Sequence, residues 1–342
     1  MYLLGIETSC DETSAAVLDD GVVQSNVISS QLIHAKYGGV VPELASRAHQ
    51  RMIIEVVEEA LQRAGISKRE LEGVAATQGP GLVGALLVGL NFAKAMAYGL
   101  EIPFVAVNHM EGHLYSNFLS DTTAAPADRT LSYPFVSLIV SGGHSMLVHV
   151  EEPFRHRVLG QTRDDAAGEA FDKVAKMLRL GYPGGPIIDR LAARGNPRAV
   201  KFPRTFLEEG TYDFSFSGIK TAVLYYLKEK GTDPTTMEPQ QQADICASFQ
   251  DAVVDVLVAK TLDAAAETGV HDVTIAGGVS ANSRLRARMK EECERRSLRL
   301  FYPKLEYCMD NGAMIAYVGW LKLQRNQISP FEVPAVANLE LI

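Results

Sequence analysis

The chain has 342 residues, of which 47% are hydrophobic, so it can bury a large core, and its length alone suggests two domains. The formal net charge is −8, from 33 basic and 41 acidic side chains, and bulk charge therefore does not indicate a nucleic-acid partner. Such a partner would have to meet a local basic patch or be held by another subunit. The densest basic stretch, residues 284–299, is interleaved with glutamates and is interpreted as a solvated helix face.

The four cysteines lie far apart and form no CxxC pair, which argues against a zinc knuckle and fits a reducing compartment. The sequence begins with a strand-like run, without a basic leader or a signal-type cleavage site. We therefore expect a cytoplasmic, soluble protein.

The first third of the chain predicts three strands followed by alternating helices and strands. The predicted strands cover residues 2–8, 14–18, 22–28 and 74–77, and the predicted helices cover residues 52–64 and 82–100. The second of these helices follows a glycine-rich turn and is apolar over most of its length. Because it contains Asn91 and Lys94, we interpret it as a buried core helix and not as a membrane span.

The same order of elements recurs in the second half of the chain. Strands are predicted over residues 135–140, 145–150, 154–159 and 273–276, with a long helix over residues 243–266. A duplicated β-β-β-α-β-α unit is the plan of the actin-like, Hsp70 and sugar-kinase (ASKHA) ATPases, whose two ribonuclease-H-like lobes bind nucleotide in the cleft between them. We therefore predict this α/β fold, with an N-terminal lobe of residues 1–107 plus about 302–342 and a C-terminal lobe of residues 108–301.

The segment His109-Met110-Glu111-Gly112-His113 is the most specific chemical feature. Two histidines four residues apart meet on one face of a helix and can share a metal ion. In the zinc-protease signature the glutamate directly follows the first histidine. Glu111 instead lies about 200° around a helix from each histidine, at roughly 100° per residue, so we do not expect it to face the same ion. Alone, the pair could equally be one capping and one surface histidine.

Asp310 is the other metal candidate. It stands where an apolar helix, predicted over residues 313–323, begins. Since Asp is also a favoured N-cap residue, a purely structural role stays open. Two histidines and one carboxylate would leave coordination positions free for a Lewis-acid ion to take a substrate oxygen.

Four turns at predicted strand ends suit a nucleotide, because open α/β sheets bind ligands at the carboxyl ends of their strands. They are residues 8–14, 141–143, 182–186 and 277–278. Glycines there allow the backbone to approach a phosphate closely. Turn chemistry explains any one of them alone, but four at equivalent positions favour a nucleotide site. Asp165, Glu169 and Asp172 form an acidic helix face, which is either solvated or, through Asp172, an acceptor for ribose hydroxyls.

The segments that carry these features resemble, in their order, a known family. They are residues 5–13, 38–47, 108–113, 140–145, 164–176, 182–186, 213–221, 277–282 and 310–311. They run from residue 3 to about 320 and resemble the tRNA N6-adenosine threonylcarbamoyltransferases of the actin-like ATPase superfamily. His113 and the turn at His144 are similar to the bacterial branch. Ser14, Ser145 and Gly312 depart from the family pattern, which has glycine, threonine and alanine there.

The resemblance implies transfer of a threonylcarbamoyl group from threonylcarbamoyl-AMP to N6 of the adenine beside the anticodon, in tRNAs that read codons beginning with A, with release of AMP. It implies that His109, His113 and Asp310 hold one divalent metal, Fe²⁺ or Zn²⁺, and that Asp11 and Glu12 form a catalytic acidic turn near the phosphates. The implied ligands of the adenylate, and of ATP, ADP or AMP, are Ile139, Val140, Ser141, Gly142, Gly143, Asp172, Gly185, Asp189 and Asn282.

The implied partners are tRNA, a paralogous dimerisation subunit (TsaB-like) and a P-loop ATPase (TsaE-like), with no membrane. Three alternatives remain. A kinase or ATPase of the same superfamily would share the fold but would not need the histidine pair. A metalloprotease is suggested by that pair alone and lacks the activating glutamate. A non-catalytic paralogue that scaffolds partners would be expected to have lost the metal residues. The tail after Leu323 is either a docking segment or an irregular terminus.

Overall fold

A computed structural model describes residues 1–122, 130–206, 210–231 and 233–341. They group into two compact units: unit 1 comprises Met1–Thr130 and Pro303–Leu341, and unit 2 comprises Leu131–Tyr302. The sequence places the first boundary near residue 107, whereas the structure groups residues up to Thr130 with unit 1. The reason is packing, because the helix that begins at His109 lies against other elements of unit 1.

The strands are β1 (Tyr2–Glu7), β2 (Glu12–Asp19), β3 (Val22–Ser30), β4 (Gly73–Gly79), β5 (Phe104–Asn108), β6 (Ser120–Asp121), β7 (Phe135–Val140), β8 (Ser145–Glu152), β9 (Arg155–Gln161), β10 (Asp272–Ala276) and β11 (Arg299–Phe301). The α-helices are α1 (Pro42–Ala64), α2 (Val83–Leu100), α3 (His109–Tyr115), α4 (Ala167–Met177), α5 (Gly184–Ala192), α6 (Ser217–Glu229), α7 (Pro239–Thr268), α8 (Ser283–Arg295) and α9 (Gly312–Leu323).

Unit 1 is built on a sheet with strand order β5-β4-β1-β2-β3-β6. Strand β1 is antiparallel to β2 and parallel to β4. Helices cover both faces, so the central strands are continuously buried and read as apolar runs. Alternate residues of β1 serve the two faces: Leu4 and Ile6 pack with α1 and α2, while Leu3 and Gly5 face α9.

Unit 2 repeats this plan with strand order β11-β10-β7-β8-β9. Strand β7 is antiparallel to β8 and parallel to β10, as β1 is to β2 and β4. The long helix α7 and helix α4 pack on this sheet, where Phe171 and Phe249 meet edge to face with ring centroids 5.1 Å apart. The duplicated element order predicted from the sequence is therefore confirmed.

Helix α9 lies unusually close to the sheet of unit 1. A Cβ atom on Gly312 would stand 2.6 Å from Ala16 N and 2.7 Å from Ala15 C, so only glycine fits. The Ser14 Oγ accepts a hydrogen bond from Gly312 N at 2.8 Å and donates to Val27 O at 2.7 Å. Two of the positions that depart from the family pattern, Ser14 and Gly312, are thus in contact and fit each other.

Helix α2 is the one helix among the described residues that is long and apolar enough to cross a membrane, by length and composition alone. It packs against β4 and α1 through a single face that includes Leu86, Leu90 and Ala93. Leu87 and Tyr98 flank this face and are exposed, and the Tyr98 ring meets Phe331 edge to face with the ring centroids 5.9 Å apart. The sequence predicts a buried core helix, and in the structure one face of this helix is buried.

The segment after α9, residues 324–341, forms an extended C-terminal strap over unit 1. Ser329 N donates to Phe104 O at 2.9 Å, and Ser329 Oγ accepts from Ala106 N at 2.9 Å. Near its end, Glu340 O accepts from Asn108 Nδ2 at 2.8 Å. The strap therefore lies along edge strand β5 and reaches the residue that precedes α3.

We predict that Gly312→Ala destabilises unit 1 by about 1–3 kcal/mol, because the added methyl group forces α9 away from the sheet. Gly99→Ala is the matched control, since a Cβ there meets nothing within 4 Å. It should be neutral or stabilise by about 0.4–1 kcal/mol. Chemical denaturation of both variants measures the difference, and equal stabilities would contradict the packing argument.

Candidate functional site

Helix α3 carries both histidines and begins directly at the end of β5. Asn108 caps it, since its side-chain oxygen accepts a hydrogen bond from Met110 N at 2.8 Å. His109 and His113 lie on one face of this short helix, both are buried, and their ring centroids are 4.7 Å apart. The cap and the strand therefore fix the direction in which the two imidazoles point.

Asp310 comes from the start of α9 and meets the histidines. Its Oδ1 lies 3.1 Å from His113 Nε2 and 3.4 Å from His109 Nε2. The N-cap of α9 is the next residue, Asn311, whose side chain accepts from Met314 N at 3.0 Å. Capping of α9, the structural role left open for Asp310, is therefore performed by Asn311. One ligand atom from each of the three residues lies within 4.8 Å of the others.

Glu7 is a site residue to which the sequence analysis assigns no role. It is fully buried at the end of β1, where its Oε2 accepts from His109 Nδ1 at 2.9 Å and from Thr77 Oγ1 at 2.6 Å. A carboxylate behind a metal-binding histidine fixes the ring and makes the opposite nitrogen a better ligand. In the sequence, the feature that could have indicated Glu7 is its position as a charged residue at the end of an otherwise apolar strand.

The charges of this cluster are strongly coupled. Burial opposes charge on His109, but Asp310 and Glu7 outweigh it and raise the pKa of this histidine well above its usual value. Burial likewise opposes charge on Asp310, yet the two histidines hold the pKa of Asp310 well below its usual range. The surroundings are thus arranged to stabilise a positive charge between these residues.

The residues fit a metal ion, and His113 is the best evidence. Both of its ring nitrogens are buried. Among the residues that the structure describes, Nδ1 has no hydrogen-bond partner, and Nε2 faces Asp310 Oδ1 at 3.1 Å without the alignment of a hydrogen bond. A buried polar atom without a partner costs free energy. A cation held between His109, His113 and Asp310 would satisfy the nitrogen that faces Asp310.

Glu111 faces elsewhere, as its position on the helix predicts. Its carboxylate pairs with Lys322 Nζ of α9 at 2.8 Å. A metalloprotease needs a glutamate beside the metal's water, and in this helix Glu111 is committed to Lys322.

The acidic turn between β1 and β2 contains Asp11 and leads into Glu12, the first residue of β2. Glu12 is 8% exposed, and burial, together with the charges of Asp310 and Asp11, raises its pKa to about 10. Burial also raises the pKa of the Cys10 thiol, which makes that residue a poor nucleophile. A buried histidine contacts this turn, since His49 Nε2 lies 3.0 Å from Cys10 O. No sequence motif indicates this histidine.

In unit 2, two of the residues predicted to bind the adenylate, Asp172 and Asp189, form hydrogen bonds with the chain neighbours of two others. Asp172 Oδ1 accepts from Gly184 N at 2.6 Å, which ties α4 to the turn that contains Gly185. Asp189 Oδ1 accepts from Ser283 Oγ at 2.7 Å, beside Asn282.

Asn282 is itself bound on both sides, since its Nδ2 donates to Gln250 Oε1 at 2.8 Å and its Oδ1 accepts from Leu285 N at 2.9 Å. The side chains of Ile139 and Val140 are fully buried in β7, so the strand end can offer only the segment from Ser141 onward. Gly142 and Gly143 have open space where a Cβ would stand.

Comparison with known proteins identifies the relatives of this chain. The family model described as "TsaD: tRNA N6-adenosine threonylcarbamoyltransferase" matches residues 22–317. A protein of that name from Salinibacter ruber is 53% identical over 343 residues and covers 100% of both chains. One from Prosthecochloris aestuarii is 52% identical over 338 residues and covers 96% of both.

Two solved structures are similar in fold at low sequence identity. Full-length HypF in its phosphate- and nucleotide-bound form has a TM-score of 0.62 and 15% identity, over 96% of this chain and 56% of HypF. The activator of 2-hydroxyisocaproyl-CoA dehydratase from Clostridium difficile with bound ADPNP has a TM-score of 0.53 and 14% identity, over 96% and 97% of the two chains. The predicted fold class is confirmed.

We predict that Glu7→Gln weakens binding of a divalent metal by about 10–100-fold while the chain stays folded, because the buried charge behind His109 is lost. Glu55→Gln, at an exposed position of α1, is the control. Chelator competition measures the affinity, and circular dichroism checks the fold. An affinity equal to that of the control would show that Glu7 does not support the site.

Proposed function

Since the chain belongs to the tRNA N6-adenosine threonylcarbamoyltransferase family, we propose that His109, His113 and Asp310 hold the divalent ion of this enzyme. The enzyme transfers the threonylcarbamoyl group from threonylcarbamoyl-AMP to N6 of the adenine beside the anticodon, in tRNAs that read codons beginning with A, and releases AMP. The observation that carries the proposal is the convergence of three ligand atoms within 4.8 Å. When bound, the ion would act as a Lewis acid on the donor's carbonyl oxygen.

We propose one Fe²⁺ or Zn²⁺ ion per subunit. Two imidazoles and one carboxylate suit both ions and leave coordination positions open for a substrate oxygen. A reducing, cytoplasmic location fits the same proposal, because the four cysteines are free thiols.

The acidic turn is proposed to handle the proton of the reaction. The donor is a mixed carbamoyl–phosphate anhydride, so AMP is already a good leaving group. Attack by the adenine N6 forms a C–N bond, breaks the C–O bond to the phosphate and releases one proton. Asp11 is the residue that we propose accepts that proton. Burial raises the pKa of Glu12, which favours the protonated form that can donate a hydrogen bond to the departing phosphate.

Unit 2 is proposed to bind the adenylate. Its open backbone at Gly142 and Gly143 suits a phosphate, which cannot approach as closely where a Cβ intervenes. Gly185 has similar open space at its Cβ position, next to the hydrogen bond between Gly184 N and Asp172 that joins α5 to α4. Asp172 and Asp189 supply carboxylate oxygens for ribose hydroxyls, and Asn282 is held in place at the start of α8.

We predict that His109→Ala combined with His113→Ala removes the metal and abolishes tRNA modification, while adenine-nucleotide binding survives. The loss should exceed the roughly 100-fold that removal of an outer partner of a ligand can cost. His271→Ala, at an exposed position of unit 2, is the control. Metal analysis, nucleotide titration and mass analysis of tRNA nucleosides give the three readouts.

The alternatives make different predictions in the same assay. A kinase or ATPase of this fold would keep its nucleotide chemistry in the double variant and would leave tRNA unmodified even as the wild type. A metalloprotease would cleave casein when metallated and lose that cleavage in the double variant. Either result would replace the proposed function.

We propose that further subunits complete the enzyme, namely the paralogous dimerisation subunit and the P-loop ATPase. The exposed face of α2, with Val83, Leu87 and Tyr98, stands next to α1, whose Ile54 is also exposed. Apolar residues four apart on a helix normally face a partner. A paralogue with the same fold would present an equivalent pair of helices, so this face suits the dimerisation subunit.

We predict that Leu87→Asp combined with Tyr98→Asp prevents co-elution with the dimerisation subunit and leaves the isolated chain folded. Both side chains are exposed. The Tyr98 ring also meets the Phe331 ring of the C-terminal strap at a centroid distance of 5.9 Å, so the double variant should lose that contact and keep its core. Ile328→Asp, on the exposed C-terminal strap, is the control. Size-exclusion chromatography with light scattering measures the complex. Unchanged co-elution would contradict the docking face, and full multiple-turnover activity of the chain alone would contradict the need for partners.

A further inference from the structure

A basic segment stands out in a chain whose formal net charge is −8. Residues 190–204 contain five basic side chains and no Asp or Glu. They begin in the last turns of α5 and continue into a segment without a helix or strand. We refer to residues 190–201 of this stretch as the basic rail.

The backbone of the basic rail is fixed along α7. Polar side chains on successive turns of that helix bind it in order. The contacts are Gln240 Nε2 to Arg194 O (3.2 Å), Asn196 N to Asp244 Oδ1 (2.8 Å) and Val200 N to Ser248 Oγ (3.1 Å). Gly195 packs so closely on α7 that a Cβ there would lie 2.1 Å from Ala243 O. The backbone of the basic rail therefore follows a single defined path along α7, and its side chains extend from a rigid support.

After Asp244, the next two acidic residues of α7 are already paired with arginines. Asp251 binds Arg204 at 3.1 Å and Arg284 at 2.6 Å. Asp255 binds Arg204 at 3.0 Å and lies 3.8 Å from Arg288. Their negative charges are consequently not available to the rail.

Four basic side chains of the rail remain exposed, and none forms an ion pair with any residue that the structure describes. They are Arg190, Arg194, Arg198 and Lys201. The other basic stretch of unit 2, on α8, is different. There Lys290 lies 4.0 Å from Glu294, Arg295 2.6 Å from Glu292, and Arg296 3.8 Å from Asp263.

We propose that the basic rail binds the phosphate backbone of the tRNA substrate. The inference rests on the proposed function, which makes tRNA the acceptor, and it adds the surface that holds it. Polyanions bind where several cations are grouped and not already neutralised. Arginine is the preferred partner of phosphate because its planar group offers two parallel donors. A fixed backbone also keeps the cations in order without an ordering cost at binding.

The test replaces three rail cations together: Arg194→Gln, Arg198→Gln and Lys201→Gln. The matched control removes three paired cations from the same unit: Lys290→Gln, Arg295→Gln and Arg296→Gln. Both variants and the wild type are assembled with the partner subunits. Direct binding of unmodified tRNA is measured over a range of salt concentrations, and KM for tRNA and kcat are measured in the transfer assay.

The rail variant should bind tRNA about tenfold or more weakly, with a raised KM and an unchanged kcat. The slope of log K against log [salt] should become shallower by about 2–3, as three lost phosphate contacts require. The control should match the wild type. A variant with Arg194→Lys and Arg198→Lys should keep the wild-type salt slope, since the charges remain.

Three results would overturn the inference. The first is wild-type affinity and salt slope in the rail variant, and the second is an equal loss in the control. The third is unchanged tRNA binding with loss of a partner subunit, which would assign the rail to an acidic protein surface. Failure of the proposed function is separate, because a wild-type complex that binds tRNA but never modifies it would contradict the transferase and leave the rail intact.

Discussion

The close contact between α9 and the sheet of unit 1 is the constraint on which the candidate metal site depends. Asp310 lies two residues before Gly312, and Gly312 can lie against Ala15 and Ala16 only because it has no side chain. Ser14 Oγ binds the same residue's amide group at 2.8 Å. If α9 moved outward by the width of a methyl group, the carboxylate would move with it. The position of the Asp310 carboxylate in the candidate site is therefore set by backbone packing outside the three candidate ligands.

The second constraint is electrostatic. Glu7 and Asp310 lie on opposite sides of His109, and each carboxylate is within 3.4 Å of one of its ring nitrogens. Two negative charges around one buried imidazole, one of them on the fully buried Glu7, are costly unless a positive charge is present. The site therefore demands a proton or a cation at all times. Because of this requirement, the buried charge of Glu7 at the end of an apolar strand favours a positive charge at the histidine pair.

The parts of the molecule that follow local rules could be predicted from the sequence. The histidine pair is visible because its four-residue spacing is enough to place both rings on one helix face. The duplicated sheets are visible because strands and turns recur in the same order. Contacts between distant segments leave no such signature. Glu7 and Thr77 meet through a parallel strand pair, His49 reaches the acidic turn from α1, and the pairing of Asp251 with Arg204 and Arg284 depends on packing against α7.

The order of the segments along the chain determines when the candidate site becomes complete during synthesis. Unit 1 is discontinuous, and all of unit 2 is translated before α9 and the C-terminal strap appear. Until then, the growing chain has its two histidines and Glu7 but lacks Asp310, and the sheet face that α9 covers stays open. A nascent or prematurely terminated chain therefore has an incomplete ligand set and an exposed apolar surface, which is the kind of surface that chaperones hold. The candidate metal site can therefore be complete only in a chain that has been translated past residue 310.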